Sequence, residues 1–194
     1  IALARLPRDP VQAVDLRDRL LDGKPVEVRV VRDALQSRAA KLAPALWREL
    51  GDTNQPLRRR FRAACALAAF DPSAKEWSTH SESVAAWLVA ENRLVINEWA
   101  DLLRPVRERL IPALKAEDLY QSPRPDWSTA AAVVLADYLP DDLPQLVELN
   151  RTSNDAQRSV LAEKLSLHGK QAVELLHKEL TRTCPENESD EKRS

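Results

Sequence analysis

Twice in this chain a proline stands inside an apolar, helix-spaced run, and the two runs are near copies. Leu42-Ala-Pro-Ala-Leu46 returns as Leu110-Ile-Pro-Ala-Leu114, and Ala63–Phe70 (AACALAAF) returns as Ala131–Tyr138 (AAVVLADY), both at one shift of 68 residues. An interior proline removes a backbone hydrogen bond and kinks its helix, at about 3 kcal/mol unless packing compensates. A chain that repeats that cost at a fixed distance is repeating a unit of structure. Half the shift is about 34 residues, a period typical of stacked helical hairpins. A single hairpin cannot bury its apolar face, so neighbours must stack. The alanine-rich runs then fall at the crowded seams, where small side chains let helices approach closely.

The rest of the chain reads as more short helices. Val11–Leu21 has helical spacing, with Asp9 as a cap and Pro10 in the first turn. In Pro25–Leu35 the alternation of Val26, Val28 and Val30 would suit a strand, but the helical neighbours favour a helix. Helices are expected over Ser37–Leu50, with Pro44 inside, and over Pro56–Phe70, whose second half is apolar all round. Lys75–His80 reads as a connector, followed by helices over Ser81–Glu91, Leu94–Leu103 and Pro105–Glu117, the last containing Pro112. Asp126–Leu139, Leu143–Asn150, Ser153–Leu165 (capped by Ser153 or Asn154) and Lys170–Arg182 complete the series, with Gly169 as a separator. Residues 1–182 thus form one helical-repeat domain, and 183–194, TCPENESDEKRS, a polar disordered tail or linker.

Charge is abundant but balanced: 29 basic against 30 acidic residues in 194, net −1. That gives no overall attraction to nucleic acid or to an anionic membrane. No apolar run reaches the roughly 18 residues of a membrane span. The chain has no methionine, so it reads as a piece of a longer protein. Cys65 lies in an apolar run and Cys184 in the polar tail, which is no disulfide framework and suits a reducing cytoplasm.

LAPALWREL and PLRRRFRAACALAAFDP resemble HEAT-type repeats, in the proline of the first helix and in the alanine-rich second helix preceded by arginine. RRFRAACALAAFDP, VAAWLVAENRLVINEWADLLRPVRERLIPAL and AAAVVLADYLPDDLPQLVELN further resemble a segment of large planctomycete multidomain proteins. In those, HEAT-like helices accompany a serine/threonine kinase or a formylglycine-generating-enzyme-like domain. The likeness covers about residues 40–180. It implies an all-α fold, a HEAT-like α-solenoid of stacked helical hairpins, in a kinase-associated parent. The kinase signatures themselves, a glycine-rich loop, a strand lysine, HRD and DFG, are missing, and only three glycines are present. Any catalysis therefore belongs to other parts of the parent chain.

The sharpest charge feature is Arg58, Arg59, Arg60 and Arg62. Four cations in the first turns of a helix oppose its macrodipole, so something must stabilise them. Local acids such as Glu49, Asp52 or Asp71 would do so structurally; an acidic partner, a phosphate or a nucleic acid would do so functionally. Exposure along a groove would favour the partner, and burial in ion pairs would remove this anchor. Of five tryptophans, Trp77 and Trp127 adjoin loops and are the candidates for a partner surface, the others serving the core. Glu174 and His177 share a helix face, but no second such pair backs a metal site, and His80 and His168 read as surface residues. Cys65 reads as core. The expected function is a non-catalytic scaffold or protein-interaction module that docks another domain of its parent or a signalling partner. A nucleic-acid-binding helical repeat is the alternative. No cofactor, metal or small-molecule substrate is expected.

Overall fold

The computed structural model describes residues 16 and 18–183, and of 179–183 the backbone alone. Among the described residues there is no strand. A short helical stretch at 18–22 leads into α1 (Pro25–Leu35), a 3-10 turn at Gln36–Arg38, α2 (Ala39–Gly51), α3 (Leu57–Phe70), α4 (Trp77–Val89) and α5 (Ile96–Leu103). A second 3-10 turn at Arg104–Val106 is followed by α6 (Arg107–Lys115), α7 (Glu117–Tyr120) and α8 (Pro125–Tyr138). The last three helices are α9 (Leu143–Arg151), α10 (Asp155–Ser166) and α11 (Gly169–Thr183). The start expected for the first helix (Asp9, Pro10) and the tail with Cys184 lie outside the described residues.

The 68-residue shift is a structural repeat. It maps the first 3-10 turn onto the second, the start of α2 onto that of α6, and α3 onto α8 at both ends. Backbone angles follow. Leu35 and Leu103 have φ/ψ of −91°/−2° and −90°/−4°, and Arg38 and Val106 have −111°/6° and −114°/14°. Pro44 and Pro112 lie inside α2 and α6. Both are exposed, so neither is kept to fill a core.

The chain divides into two compact units, one ending at Val134 and the other beginning at Leu135, with α8 running through the division. In the first, α3 is the hub: α1, α2, α4, α5 and the second 3-10 turn all pack on it. Its residues 61–68 are buried without interruption, and five of those eight are the small Ala63, Ala64, Cys65, Ala66 and Ala68. Leu46 and Leu50 of α2, Val28 and Leu35 of α1, and Trp99 and Leu103 of α5 are buried in the same unit. α4 also packs on α6. In the second unit α9, α10 and α11 pack on one another. Asp142 caps α9 by accepting from the Gln145 N–H (3.1 Å), and Asn154 and Gln157 form a reciprocal capping box at α10 (3.0 and 2.9 Å), as the sequence suggested for Asn154. Gly169, expected as a separator, is the first residue of α11 and takes φ +51°, a left-handed conformation suited to glycine.

Pro25–Leu35 is the helix that the sequence favoured, and of its alternating valines only Val28 is buried. Three boundaries differ from expectation. The single helices expected at Ser37–Leu50 and Pro105–Glu117 are each a 3-10 turn followed by an α-helix, because the backbone tightens after Leu35 and Leu103 without a glycine to mark it. Trp77, assigned to a connector, is instead the first residue of α4. Its indole is wholly buried, and that burial draws the helix start ahead of Ser81.

Because α3 is crowded on several sides, enlarging a seam residue should be costly. Ala66→Leu is expected to lower stability by about 1–3 kcal/mol, read as a fall in the urea midpoint with little change in slope.

A candidate docking cleft at Trp127

The arginine cluster begins at the second residue of α3, and helical geometry sends its members in different directions. Arg58 is exposed, and its carbonyl accepts a hydrogen bond from Arg62 Nη1 at 3.1 Å. Arg59 holds three carboxylates: Asp18 at 3.1 Å, Asp22 at 2.9 Å and Glu49 at 3.1 Å. Partial burial opposes its charge, but the hydrogen bonds to Asp18 and Glu49 and the field of Asp22 outweigh it and raise its pKa. Arg60 donates from Nε to the Leu50 carbonyl at 2.9 Å and lies 4.8 Å over the Trp87 ring. Arg62, only 6% exposed, donates to the Gly23 carbonyl at 2.9 Å, stands 4.6 Å over Trp99 and reaches Glu91 at 3.8 Å. Burial lowers its pKa and Glu91 opposes that. Arg59, Arg60 and Arg62 are thus engaged within the fold, and Arg58 alone of the four presents its guanidinium to solvent.

Trp77 donates its Nε1–H to the Asp71 carbonyl at 3.0 Å and meets Trp47 edge-on at 5.2 Å between ring centres. Trp47 in turn donates to Asp71 Oδ2 at 3.1 Å and stacks on His80 at 6.0 Å. Fully enclosed, Trp77 positions other aromatics and offers no surface.

Trp127 is differently placed. Half-buried in the first turns of α8, it lines a cleft of about 550 Å³ with Arg124, Asp126 and the turn after α4, Glu91 to Arg93. The Arg124 guanidinium lies over the Trp127 ring, 4.1 Å from its centre. Asn92 Oδ1 accepts the Leu94 N–H at 2.9 Å and fixes the turn that displays Arg93. Leu94 beside it is 88% exposed. The cleft's two acids are accounted for locally: Glu91 faces Arg62, and Asp126 sits in the first turn of α8, where the helix dipole favours a negative charge. Among the described residues neither Arg93 nor Arg124 has a carboxylate partner. Of the six residues singled out from sequence, the cleft contains Trp127, while Arg59, Arg60, Arg62 and Trp77 are absorbed by packing. Arg93, Arg124 and Leu94 were missed, although Pro123-Arg-Pro-Asp-Trp127 was a visible signal: an arginine held between two prolines ahead of a tryptophan.

Chemistry elsewhere is sparse. Burial pushes the Cys65 thiol well up, so it is no thiolate at neutral pH. His168 Nε2 lies 2.8 Å from the Pro140 carbonyl. Among the described residues no group of three or more His, Cys, Asp or Glu side chains is placed to hold a metal ion. Nor is any helix long and apolar enough to cross a membrane. Compared with protein-family models, curated proteins and solved structures, the chain matches none.

Two expectations follow. Arg62→Ala should cost about 2–3 kcal/mol, since it strands the Gly23 carbonyl and uncovers Glu91, whereas Arg58→Ala should stay within about 0.5 kcal/mol; urea titration separates them. Burial, then Arg60, lowers the His80 pKa below 6.5. The folded state thus favours neutral His80, and its contribution is lost as pH falls below that value, where the unfolded chain takes up the proton more readily. Urea midpoints at pH 7.5 and 5.5 should accordingly fall less in His80→Gln than in the parent.

Proposed function

We propose that this chain is a non-catalytic, cytoplasmic scaffold: a HEAT-like stack of helical hairpins within a larger signalling protein of the planctomycete type it resembles. Its Trp127 cleft docks an acidic segment of a partner protein, either another domain of the parent chain or a signalling partner. The observation that carries the reading is the pair of guanidiniums without a carboxylate partner among the described residues, Arg93 and Arg124, beside a half-buried tryptophan and an exposed leucine. A carboxylate between the two arginines would gain charge-assisted hydrogen bonds, and an apolar neighbour would cover Leu94. Arg124 is pre-organised by its stacking on Trp127, so less side-chain freedom is lost on binding. The recurrence of turn, proline-bearing helix and alanine-rich helix at 68 residues supports the repeat architecture.

Fluorescence anisotropy with a labelled peptide of alternating glutamate and leucine tests this. The parent should bind, more weakly as salt rises, and Arg93→Glu/Arg124→Glu should lose about tenfold or more in affinity. Equal binding by the double variant, or tighter binding of duplex or single-stranded DNA than of the peptide, would overturn the reading.

A further inference from the structure

A second groove, of about 720 Å³, runs beside α2 and the end of α3. Ala43 and Pro44 contribute small apolar surface, Trp47 and Phe70 aromatic surface, and Asp71 and Glu76 the charges. Among the described residues no lysine or arginine lines it. Asp71 spends Oδ2 on the Trp47 indole and its carbonyl on Trp77, but its Oδ1 has no hydrogen-bond partner among the described residues. The Glu76 carboxylate, exposed at the start of α4, has no hydrogen-bond or ion-pair partner there either. The groove therefore joins aromatic and aliphatic surface to two carboxylates that have no ion-pair partner among the described residues, with His80, stacked on Trp47, the titratable group that feels the field of Glu76. Pro44, exposed and energetically unfavourable in mid-helix, gains a role as part of this wall.

We propose that this groove is a second docking site, of opposite sign to the Trp127 cleft, and that its occupant is an arginine side chain carried on a partner segment. Arginine suits it better than lysine. The aliphatic stem can lie along Ala43 and Pro44, the planar guanidinium can stack on Trp47 or Phe70, and its fork of donors can serve Asp71 and Glu76 together. The Trp47–Asp71 hydrogen bond fixes one carboxylate in advance, so the site is organised before the cation arrives.

The test uses a labelled peptide of arginines spaced by glycine, with its lysine counterpart, against the full chain. Glu76→Lys is a surface change at a helix start, checked by its melting temperature. Glu108→Lys reverses another exposed charge outside the groove, one paired with Arg107, and controls for general attraction of a cationic peptide to an acidic surface. The expected result is a loss in affinity of about fivefold or more in Glu76→Lys, little change in Glu108→Lys, and weaker binding of the lysine peptide. In parallel, the indole N–H resonance that disappears in Trp47→Phe should move as the arginine peptide is titrated. Equal losses in the two charge variants, no binding by the parent, or an unmoved Trp47 resonance would overturn the proposal. A basic probe and a site that shares no residue with the Trp127 cleft keep this result independent of the acidic-peptide experiment.

Discussion

Helix α3 must be approached from several sides at once, and that requirement shapes the first unit. Helices can crowd around a common neighbour only if its side chains are small, which is why the run from Ala63 to Ala68 is almost all alanine and cysteine. An alanine-built hub buries little area per residue, so beyond its own Phe61 and Leu67 the large side chains come from its neighbours: leucines of α2 and α1, Trp99 of α5 and Trp77 of α4. Arg62 is the one charged residue buried on the hub. Its buried guanidinium is answered by the Gly23 carbonyl, the Arg58 carbonyl, Glu91 and the face of Trp99, which together offset the cost of removing a charge from water.

The helices were legible because apolar spacing and the 68-residue echo are properties of the string. The echo was the stronger signal, since it carried proline, alanine run and spacing together. What the string concealed was the pair of 3-10 turns. Leu35 passes into the turn with no glycine or proline at the junction, so that break lies in backbone angles alone, and at the second turn Pro105 reads equally well as the opening of one longer helix. The arginine cluster shows the limit more sharply. Four neighbours in sequence look like one patch, yet successive positions on a helix point about 100° apart. Arg59 therefore finds acids in one direction, Arg60 a carbonyl and Trp87 in another, and Arg62 the core. Arg62 was partly readable, standing between Phe61 and the all-round apolar half of the helix. Arg93 was not, because its importance arises only when the turn after α4 is brought beside the start of α8.

Charge in this protein is therefore better described by place than by total. A net charge near zero excluded a uniformly basic or acidic surface but was silent on local imbalance. Most ionic groups described here are answered by neighbours, as in Arg59 with its three carboxylates or Asp101, whose pKa is held down by Arg104 and Arg29. Against that background two local imbalances stand out. One is the cation pair at Trp127 and the other the carboxylate pair beside Trp47, each set against aromatic surface where a desolvated charge counts for more.

The two 3-10 turns also bear on how the chain would respond to force. At each, the direction of the backbone changes while hydrogen bonding continues: Gln36 N–H to the Asp33 carbonyl and Ala39 to Gln36, then Arg104 to Asp101 and Arg107 to Arg104. A bend made this way is an elbow with a fixed angle, unlike a hinge built on glycine. Tension along the chain would be passed through these elbows and taken up first where the ladder is interrupted, in the loops before α3 and before α8, which are the two places where proline opens an alanine-rich helix.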